Sequence, residues 1–354
     1  MGIVLEIAMK VALIGVGQRA CSHIIPALVR SRRVEISNVY GSKPRVISVC
    51  GFDFTVAELN ASSGPAFADV DSIIVCVPQR SIMQVLRRLA EFGCRDKTIF
   101  IDTPVLDKKN VLNYGIVAQF TKLSVLEDWL SLPTFSLASS LIRSGKVGKL
   151  RRIYFHHSGY RHHAMAILRY WTGSGFVKKG RFLNHSSEVK EFVLHDEAGV
   201  MTTIIEPREY LNGQFLIVGE KGSIGNYPIP ARNHYWIKVV REETRLLVST
   251  IDDSVTKGSS ADITKGGEAI NMELQIDPEL SGMPQMDIMK IYGLIRIFEQ
   301  KEEASDSLVG YQPLDAIYDK LIMDLLTRLG RIYDFALFGA SALKSVIKMF
   351  RLIR

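Results

Sequence analysis

Runs of apolar residues alternate with amphipathic stretches along the first third of the chain. Four apolar runs are typical of buried strands: KVALIGVG (10–17), SIIVCVP (72–78), TIFIDTP (98–104) and LSVLEDW (123–129). Two more strands are predicted at 34–40 and 45–52, and helices are predicted at 18–32, 80–93 and 108–119. Because strands and helices alternate, we predict a parallel sheet with helices on its faces.

After Trp129 the pattern changes to strands separated by short turns. Segments between 181 and 251, such as GVMTTIIE and HYWIKVV, predict an antiparallel sheet. The other predicted elements are a strand at 149–160, a loop at 252–282 and helices at 134–145, 163–171, 284–303 and 312–329. We therefore expect an α/β protein of 354 residues with two domains.

The net charge of +7 is modest for this length and is concentrated near the C-terminus. The body of the chain is close to neutral, so we expect no nucleic-acid partner. The C-terminal segment (331–354) contains FALFGASALKSVIKMFRLIR, which predicts a basic amphipathic helix. Such a helix can contact an anionic membrane peripherally, pack on a partner subunit or pack on its own domain, and the sequence leaves these alternatives open.

The cysteine pattern and the hydropathy favour a cytoplasmic protein. Four cysteines lie far apart without CxxC spacing, which is typical of reduced thiols: Cys21, Cys50, Cys76 and Cys94. The apolar N-terminus is interrupted by Glu6 and Lys10, unlike a signal peptide. Since no uncharged apolar run reaches about 18 residues, we expect no transmembrane helix.

The sequence GVGQRA (15–20) stands between the first strand and the first helix. Gly15 permits a tight turn, Gly17 lets a pyrophosphate approach the backbone, and the small Ala20 allows close packing of helix and strand. The phosphates would bind the free N–H groups at the helix N-terminus, beside Gln18 and Arg19. This context predicts a dinucleotide site, and the alternative is a glycine turn without a ligand.

The end of the second strand indicates which dinucleotide is bound. NAD-binding domains usually place an acid there for the ribose hydroxyls, but this strand continues into Ser42, Lys43, Pro44 and Arg45. A hydroxyl and two cations suit a 2′-phosphate, so NADP is favoured over NAD. The alternative is a solvated basic turn. Val77 and Pro78, at the end of the strand at 72–78, are expected to contribute to the same cofactor site.

The strand at 98–102 ends at Asp102, Thr103 and Pro104, where ligands bind in open α/β sheets. Asp102 could accept a hydrogen bond from the nicotinamide side of the cofactor or could hold Thr103. Thr103 could donate to a substrate oxygen. Both residues are therefore candidates for cofactor binding and catalysis, and the alternative for both is a cap at the strand end.

Five segments together resemble one family. They are KVALIGVGQRACSHIIPAL, ADVDSIIVCVPQRSIMQVLRRLAEFG, IDTPV, LIRSGKVGKLRRIYF and HHAMAILRYWTG. In order and spacing they resemble the glucose–fructose oxidoreductase / inositol dehydrogenase (Gfo/Idh/MocA) family over most of residues 9–330. The resemblance implies a Rossmann NAD(P)-binding domain (9–125) and an α/β domain with a large, mostly antiparallel sheet (126–330), which would also form a homo-oligomer. It also implies hydride transfer on a sugar, a nucleotide sugar or another small carbonyl or imine.

The resemblance fails at two of three expected catalytic positions. Thr103 stands where the family usually has lysine, Gly159 stands where it has aspartate, and His163 alone matches. His163 has a suitable pKa for moving a proton near neutral pH, and Tyr160 is a second candidate donor. Without the lysine, reduction of an imine or a double bond becomes a better analogy than alcohol oxidation. The alternative is a non-catalytic dinucleotide-binding protein, such as a sensor or a subunit.

Further candidates lie near these positions. Trp129 could stack on a sugar or be buried, while Arg161 and His162 could bind the substrate. An ion pair is the alternative for Arg161. Four histidines in HHSGYRHH (156–163) raise the alternative of a metal site. We expect none, because no cysteine or carboxylate is interleaved with them.

Overall fold

A computed structural model describes residues 9–103, 114–173, 177–209, 213–229, 231, 233–252, 271–299 and 311–332. Several predictions lie outside these residues: the segment before residue 9, Pro104, most of the loop at 252–282 and the amphipathic helix in 335–354. None of the helices in the described ranges is long and apolar enough to cross a membrane. The four cysteines are free; Cys94 is buried and the other three are half-buried.

The chain divides into two compact units. The first contains the described residues up to Ser131 and those of Lys290–Lys320, and the second contains those of Leu132–Met289 and of Leu321–Ser345. The return of the chain to the first unit was not predicted. It is held by long-range contacts, since the amide of Val125 donates to the Tyr311 carbonyl at 3.0 Å and Phe100 packs edge-on against Phe298.

The first unit contains a seven-stranded sheet in the order β3-β4-β2-β1-β5-β6-β7. Its strands are β1 (Met9–Ile14), β2 (Val34–Gly41), β3 (Arg45–Val49), β4 (Phe52–Glu58), β5 (Ser72–Val75), β6 (Thr98–Asp102) and β7 (Lys122–Leu126). All neighbouring strands are parallel except β3 and β4. The apolar residues of the central strands β1, β5 and β6 are buried apart from Met9 at the start of β1, as their apolar runs predicted. The predicted parallel sheet is therefore confirmed.

Three α-helices accompany this sheet in the first part of the chain: α1 (Ile25–Arg30), α2 (Gln79–Glu91) and α3 (Tyr114–Val117). The predicted helix over 18–32 is helical from Gln18 to Arg30, but Ala20–Ile24 within it forms a π-helical turn that leads into α1. Pro26 has no N–H to donate within the helix. The preceding amide, that of Ile25, donates to the Ala20 carbonyl five residues back, which is the hydrogen-bond spacing of a π-helix.

The prediction of one strand over 45–52 was also wrong. Cys50 and Gly51 have positive φ angles of 52° and 74°, so the chain reverses between Val49 and Phe52. Two consecutive left-handed residues are typical of a tight hairpin turn. The hairpin of β3 and β4 replaces the helix that the alternating pattern would place here, and β4 then pairs in parallel with β2.

The second unit contains a ten-stranded sheet in the order β16-β15-β14-β13-β12-β8-β11-β10-β9-β17. Its strands are β8 (Leu150–His156), β9 (Val177–Asn184), β10 (Lys190–Asp196), β11 (Met201–Glu206), β12 (Gln214–Gly219), β13 (Ser223–Gly225), β14 (His234–Arg241), β15 (Arg245–Asp252), β16 (Asn271–Gln275) and β17 (Arg331–Ile332). Only β8–β11 and β13–β14 pair in parallel. The predicted fold class, with a mostly antiparallel second sheet, is therefore confirmed.

Helices α4 (Pro133–Arg143) and α5 (Arg161–Thr172) pack on this sheet. Their aromatic residues form the centre of its core, where Phe135 contacts Phe155, Trp171 and Phe215 with ring centroids 5.0–6.4 Å apart. Two later helices, α6 (Gln285–Glu299) and α7 (Pro313–Leu329), match the predicted helical stretches in their described parts. The core of the second unit thus lies between the sheet and these first two helices.

Candidate functional site

The glycine turn brings two segments of the first unit into direct contact. Gly15 follows β1 with a φ of 105°, a conformation that favours glycine. A Cβ atom at this position would lie 2.0 Å from the carbonyl oxygen of Cys76. The Cys76 amide in turn donates to the Ile14 carbonyl at 2.8 Å. Gly15 is therefore required by the packing of β1 against the segment after β5.

Gly17 has a different environment. A Cβ atom at Gly17 would meet no atom within 4 Å, so packing within the described chain does not demand glycine there. Three residues further on, Ala20 is fully buried at the start of the π-helical turn. The open space at Gly17 is what the approach of a phosphate group to the backbone would need.

A groove of about 430 Å³ lies beside this turn, at the carboxyl ends of the parallel strands. Six predicted cofactor residues line it: Gly15, Gly17, Ser42, Arg45, Val77 and Pro78. Ligands bind at this edge in open α/β sheets. The structure therefore brings together, in one cavity of the first unit, residues that are widely separated in the sequence.

The sequence analysis did not assign nine of the lining residues to the cofactor site. Four of these adjoin predicted strands or site residues: Ile14, Val16, Gly41 and Cys76. The other five are Leu59, Ser81, Gln84, Val85 and Arg88. The last four recur at helical spacing on α2, which is a signal that the sequence contains. Leu59 follows β4, and that strand was not predicted. The groove wall thus depends in part on an element that the hydrophobic pattern does not reveal.

Six other predicted cofactor residues do not line the groove: Gln18, Arg19, Ala20, Lys43, Asp102 and Thr103. Lys43 and Gln18 are exposed, and Ala20 is buried beneath the turn. Arg19 points to two acids instead. Its Nη2 donates to Asp128 Oδ2 at 2.7 Å and its Nε donates to Asp102 Oδ1 at 3.4 Å. The side chains of these acids are 2% and 8% exposed, against 26% for Arg19.

This arginine–carboxylate cluster has strongly perturbed electrostatics. Burial raises the pKa of Asp102, although the nearby Arg19 acts in the opposite direction. Burial alone would lower the pKa of Arg19, but Asp128 and Asp102 more than offset this and raise it. Burial and the Asp102 charge raise the pKa of Cys76, whose protonated thiol lies 3.4 Å from Asp102 Oδ2. Asp102 is thus held by protein groups, and the half-buried Thr103 follows it.

In the second unit, three predicted residues cluster at the start of α5. Tyr160 is 42% exposed and stacks on His162, with ring centroids 5.9 Å apart. The ring centroid of His162 is 4.0 Å from that of His163, which is only 7% exposed. The structure therefore places the buried His163 imidazole near the exposed Tyr160 phenol, with ring centroids 6.4 Å apart.

Two substrate-binding candidates have protein partners. The guanidinium of Arg161 binds the Glu206 carboxylate through Nε and Nη2 at 2.6–3.1 Å, and it lies 4.6 Å from the centre of the Phe192 ring. This is the ion pair that the sequence left open. Trp129 is 1% exposed, so its buried alternative is the one observed.

Comparison with known proteins defines the class of fold. No family model and no curated protein match the sequence. Solved structures do match. A scyllo-inositol dehydrogenase from Lactobacillus casei with bound NAD(H) and scyllo-inositol has a TM-score of 0.60 and 12% identity, covering 92% of this chain and 98% of that one.

Two further structures give the same result. A myo-inositol 2-dehydrogenase from Lactobacillus plantarum has a TM-score of 0.58 and 14% identity, covering 92% and 99% of the two chains. A 3-ketoreductase from Actinomadura kijaniata, with NADP and TDP-benzene, has a TM-score of 0.51 and 14% identity, covering 91% and 98%. The chain therefore has the fold of Gfo/Idh/MocA-type oxidoreductases, and the resemblance is confirmed at that level.

Proposed function

We propose that this chain is an NADP-dependent oxidoreductase that transfers hydride to or from a small carbonyl, imine, sugar or nucleotide-sugar substrate. The observation that carries the proposal is the groove beside Gly15 and Gly17. It combines a strand–turn–helix glycine pattern with open space at the position where a phosphate would approach. The fold is that of solved structures that hold NAD(H) or NADP.

The groove residues fit such a cofactor. The backbone at Gly17 and the start of the π-helical turn would hold the pyrophosphate, while Val77 and Pro78 would contact the dinucleotide from the β5 side. Among the described lining residues there are two arginines and no carboxylate. An acid would suit the ribose hydroxyls of NAD, whereas cations suit the 2′-phosphate of NADP. Ser42 and Arg45 are the proposed contacts at the end of β2.

A fluorescence titration with NADPH and NADH tests this proposal. We expect wild type to bind NADPH more tightly than NADH. Arg45→Ala should weaken NADPH binding by about 10-fold or more, because it removes a charge-assisted hydrogen bond to phosphate. Lys43→Ala is the matched control, since Lys43 is a nearby cation outside the groove wall and should have little effect. Failure of wild type to bind either nucleotide would reject the proposed function.

When bound, the nicotinamide would supply or accept the hydride. We propose that the chain contributes the proton through His163, with Tyr160 as a second donor. Thr103 and Asp102 stay candidates for positioning, although Arg19 and Cys76 already occupy the Asp102 carboxylate. His162 stays a candidate for substrate contact. Trp129 is a weaker candidate because it is buried. Arg161 is a weaker candidate because its guanidinium binds Glu206.

A non-catalytic dinucleotide-binding protein is the second candidate function. It is favoured by Thr103 and Gly159, which replace two polar residues expected at the catalytic positions. In a sensor or a subunit, the cofactor would be bound but no proton donor would be needed.

His163→Ala separates the two candidates. In the oxidoreductase, we expect the turnover of a carbonyl or imine substrate to fall by about 10²–10⁴-fold, as is typical for removal of a general acid or base. NADPH affinity should not change. His162→Ala is the neighbouring control and should have a smaller effect on turnover. Binding of NADPH without turnover in either wild type or His163→Ala would instead favour the non-catalytic candidate, whereas equal measurable turnover of both would reject His163 as the proton donor.

We also propose that the chain forms a homo-oligomer through the second sheet. The face that carries Tyr154, Leu216 and Trp236 is only partly buried, and it combines apolar and polar side chains. This composition is typical of subunit interfaces. A monomer in sedimentation velocity at micromolar concentration would contradict this assembly.

A further inference from the structure

We propose that Arg88 is a second cation for the 2′-phosphate of NADP, acting together with Arg45. Neither the glycine turn nor the end of β2 suggests this residue, because it lies on α2, far along the chain. The inference rests on the proposed function, since it concerns the same groove. It assigns to Arg88 the role of a specificity-determining residue.

A hydrogen bond places Arg88 at the end of the groove where β2 and β4 end. Strands β2 and β4 are parallel, and Gly41 is paired with Glu58. The residues that follow this pair, Ser42 and Leu59, therefore leave the sheet side by side, and both line the groove. The Nη1 atom of Arg88 donates to the Leu59 carbonyl. This bond positions the guanidinium near the strand end where a 2′-phosphate is expected.

The charges of the groove support an anionic ligand. Within the described parts of the chain, the one hydrogen-bond partner of the Arg88 guanidinium is the neutral Leu59 carbonyl. Arg45 has a similar arrangement, with Nη2 at 3.3 Å from the Val16 carbonyl. Neither guanidinium is paired with a carboxylate among the described residues. A phosphate group carries nearly two negative charges at neutral pH, and two arginines would compensate both of them.

The position of Arg88 on its helix separates it from its neighbours. Arg88 shares one face of α2 with Ser81, Gln84 and Val85, and this face lines the groove. The adjacent Arg87 is exposed and does not line it. Arg88 also lies in the last turn of α2, where a cation is favourable to the helix dipole. If Arg88 only stabilises α2, its replacement changes the free energy of unfolding and leaves nucleotide selectivity unchanged. If Arg88 binds the 2′-phosphate, its replacement changes nucleotide selectivity.

Isothermal titration with NADPH, NADH and adenosine 2′-monophosphate tests the inference on the full-length protein. For wild type we expect NADPH to bind at least about 100-fold more tightly than NADH, since two charge-assisted contacts are added. Arg88→Gln should weaken the binding of NADPH and of adenosine 2′-monophosphate by about 10- to 100-fold and leave NADH binding unchanged. Arg88→Lys should restore part of this loss. The control Arg87→Gln should bind all three ligands as wild type does.

The outcomes distinguish this inference from the proposed function. If Arg88→Gln weakens NADPH and NADH equally, or weakens neither, Arg88 does not recognise the 2′-phosphate, while the proposed function stands. If wild type binds neither dinucleotide, both proposals fail. If Arg88→Gln does not fold, the inference is tested by the NADPH affinity of Arg88→Lys and by the preference of wild type for NADPH over NADH. A preference below about 10-fold would overturn the inference.

Discussion

Replacement of Gly15 by alanine is expected to lower the free energy of unfolding by about 3 kcal/mol or more and to abolish dinucleotide binding. Two physical effects add up in this variant. The φ angle of 105° strains any residue with a Cβ atom. That Cβ atom would also lie 2.0 Å from the Cys76 carbonyl oxygen, in backbone that cannot move without displacing β5. Urea denaturation followed by circular dichroism measures the loss.

Gly17→Ala is the matched control for this variant. Its Cβ atom would meet no neighbour within 4 Å, so the free energy of unfolding should change by less than about 0.5 kcal/mol. NADPH binding should nevertheless weaken, because the methyl group would occupy space in the groove. Wild-type stability of Gly15→Ala would contradict the close approach of β1 to the segment after β5. Wild-type NADPH affinity of Gly17→Ala would contradict a phosphate site at this turn.

Replacement of Arg19 by methionine is expected to lower the free energy of unfolding by about 3–5 kcal/mol at neutral pH. The variant leaves Asp128 and Asp102 buried without their shared cation. Removal of one partner from a buried ion pair costs this much because the remaining charges are poorly solvated. Chemical denaturation at several pH values measures the loss. Arg45→Met, which removes a guanidinium bound to a carbonyl only, should change stability much less.

The loss in Arg19→Met should depend on pH in a defined direction. Burial already raises the pKa of Asp102 above its ordinary value of 3.8, and removal of Arg19 should raise it further. For a group whose pKa is raised by folding, the stabilising contribution is present below the ordinary pKa and disappears as pH rises through the folded value. The deficit of the variant should therefore be small near pH 4 and grow toward pH 7. A deficit that does not vary with pH would show that Asp102 is uncharged in wild type as well.

Several features of the site could be predicted from the sequence because they depend on neighbouring residues. The glycine pattern at 15–20 requires only a strand, a turn and a helix in succession, and each of these has a local signal. The residues that follow β2 can also be read directly from the sequence, and they include no acid at the position where NAD-binding domains usually have one. For this reason the sequence alone assigns to one site six residues that line the groove: Gly15, Gly17, Ser42, Arg45, Val77 and Pro78.

Other features were missed because their cause lies far along the chain. Arg19 stands beside Gly17 in the sequence, but its side chain is directed by acids 83 and 109 residues away. The position of Leu59 depends on a hairpin whose turn includes Cys50 in a left-handed conformation, which its residue type does not signal. Strand β4 was missed because most of its residues are exposed, so it lacks an apolar run.

The alternation of elements, the glycine turn and the change to an antiparallel sheet can be predicted from the sequence, since they follow from residue periodicity and backbone sterics. Which charges are compensated depends instead on the tertiary structure. It paired Arg19 and Arg161 with buried acids, and it left Arg45 and Arg88 on a groove wall with carbonyl partners. Electrostatic interactions act through space, so the partner of a charged side chain is determined only when distant segments pack together.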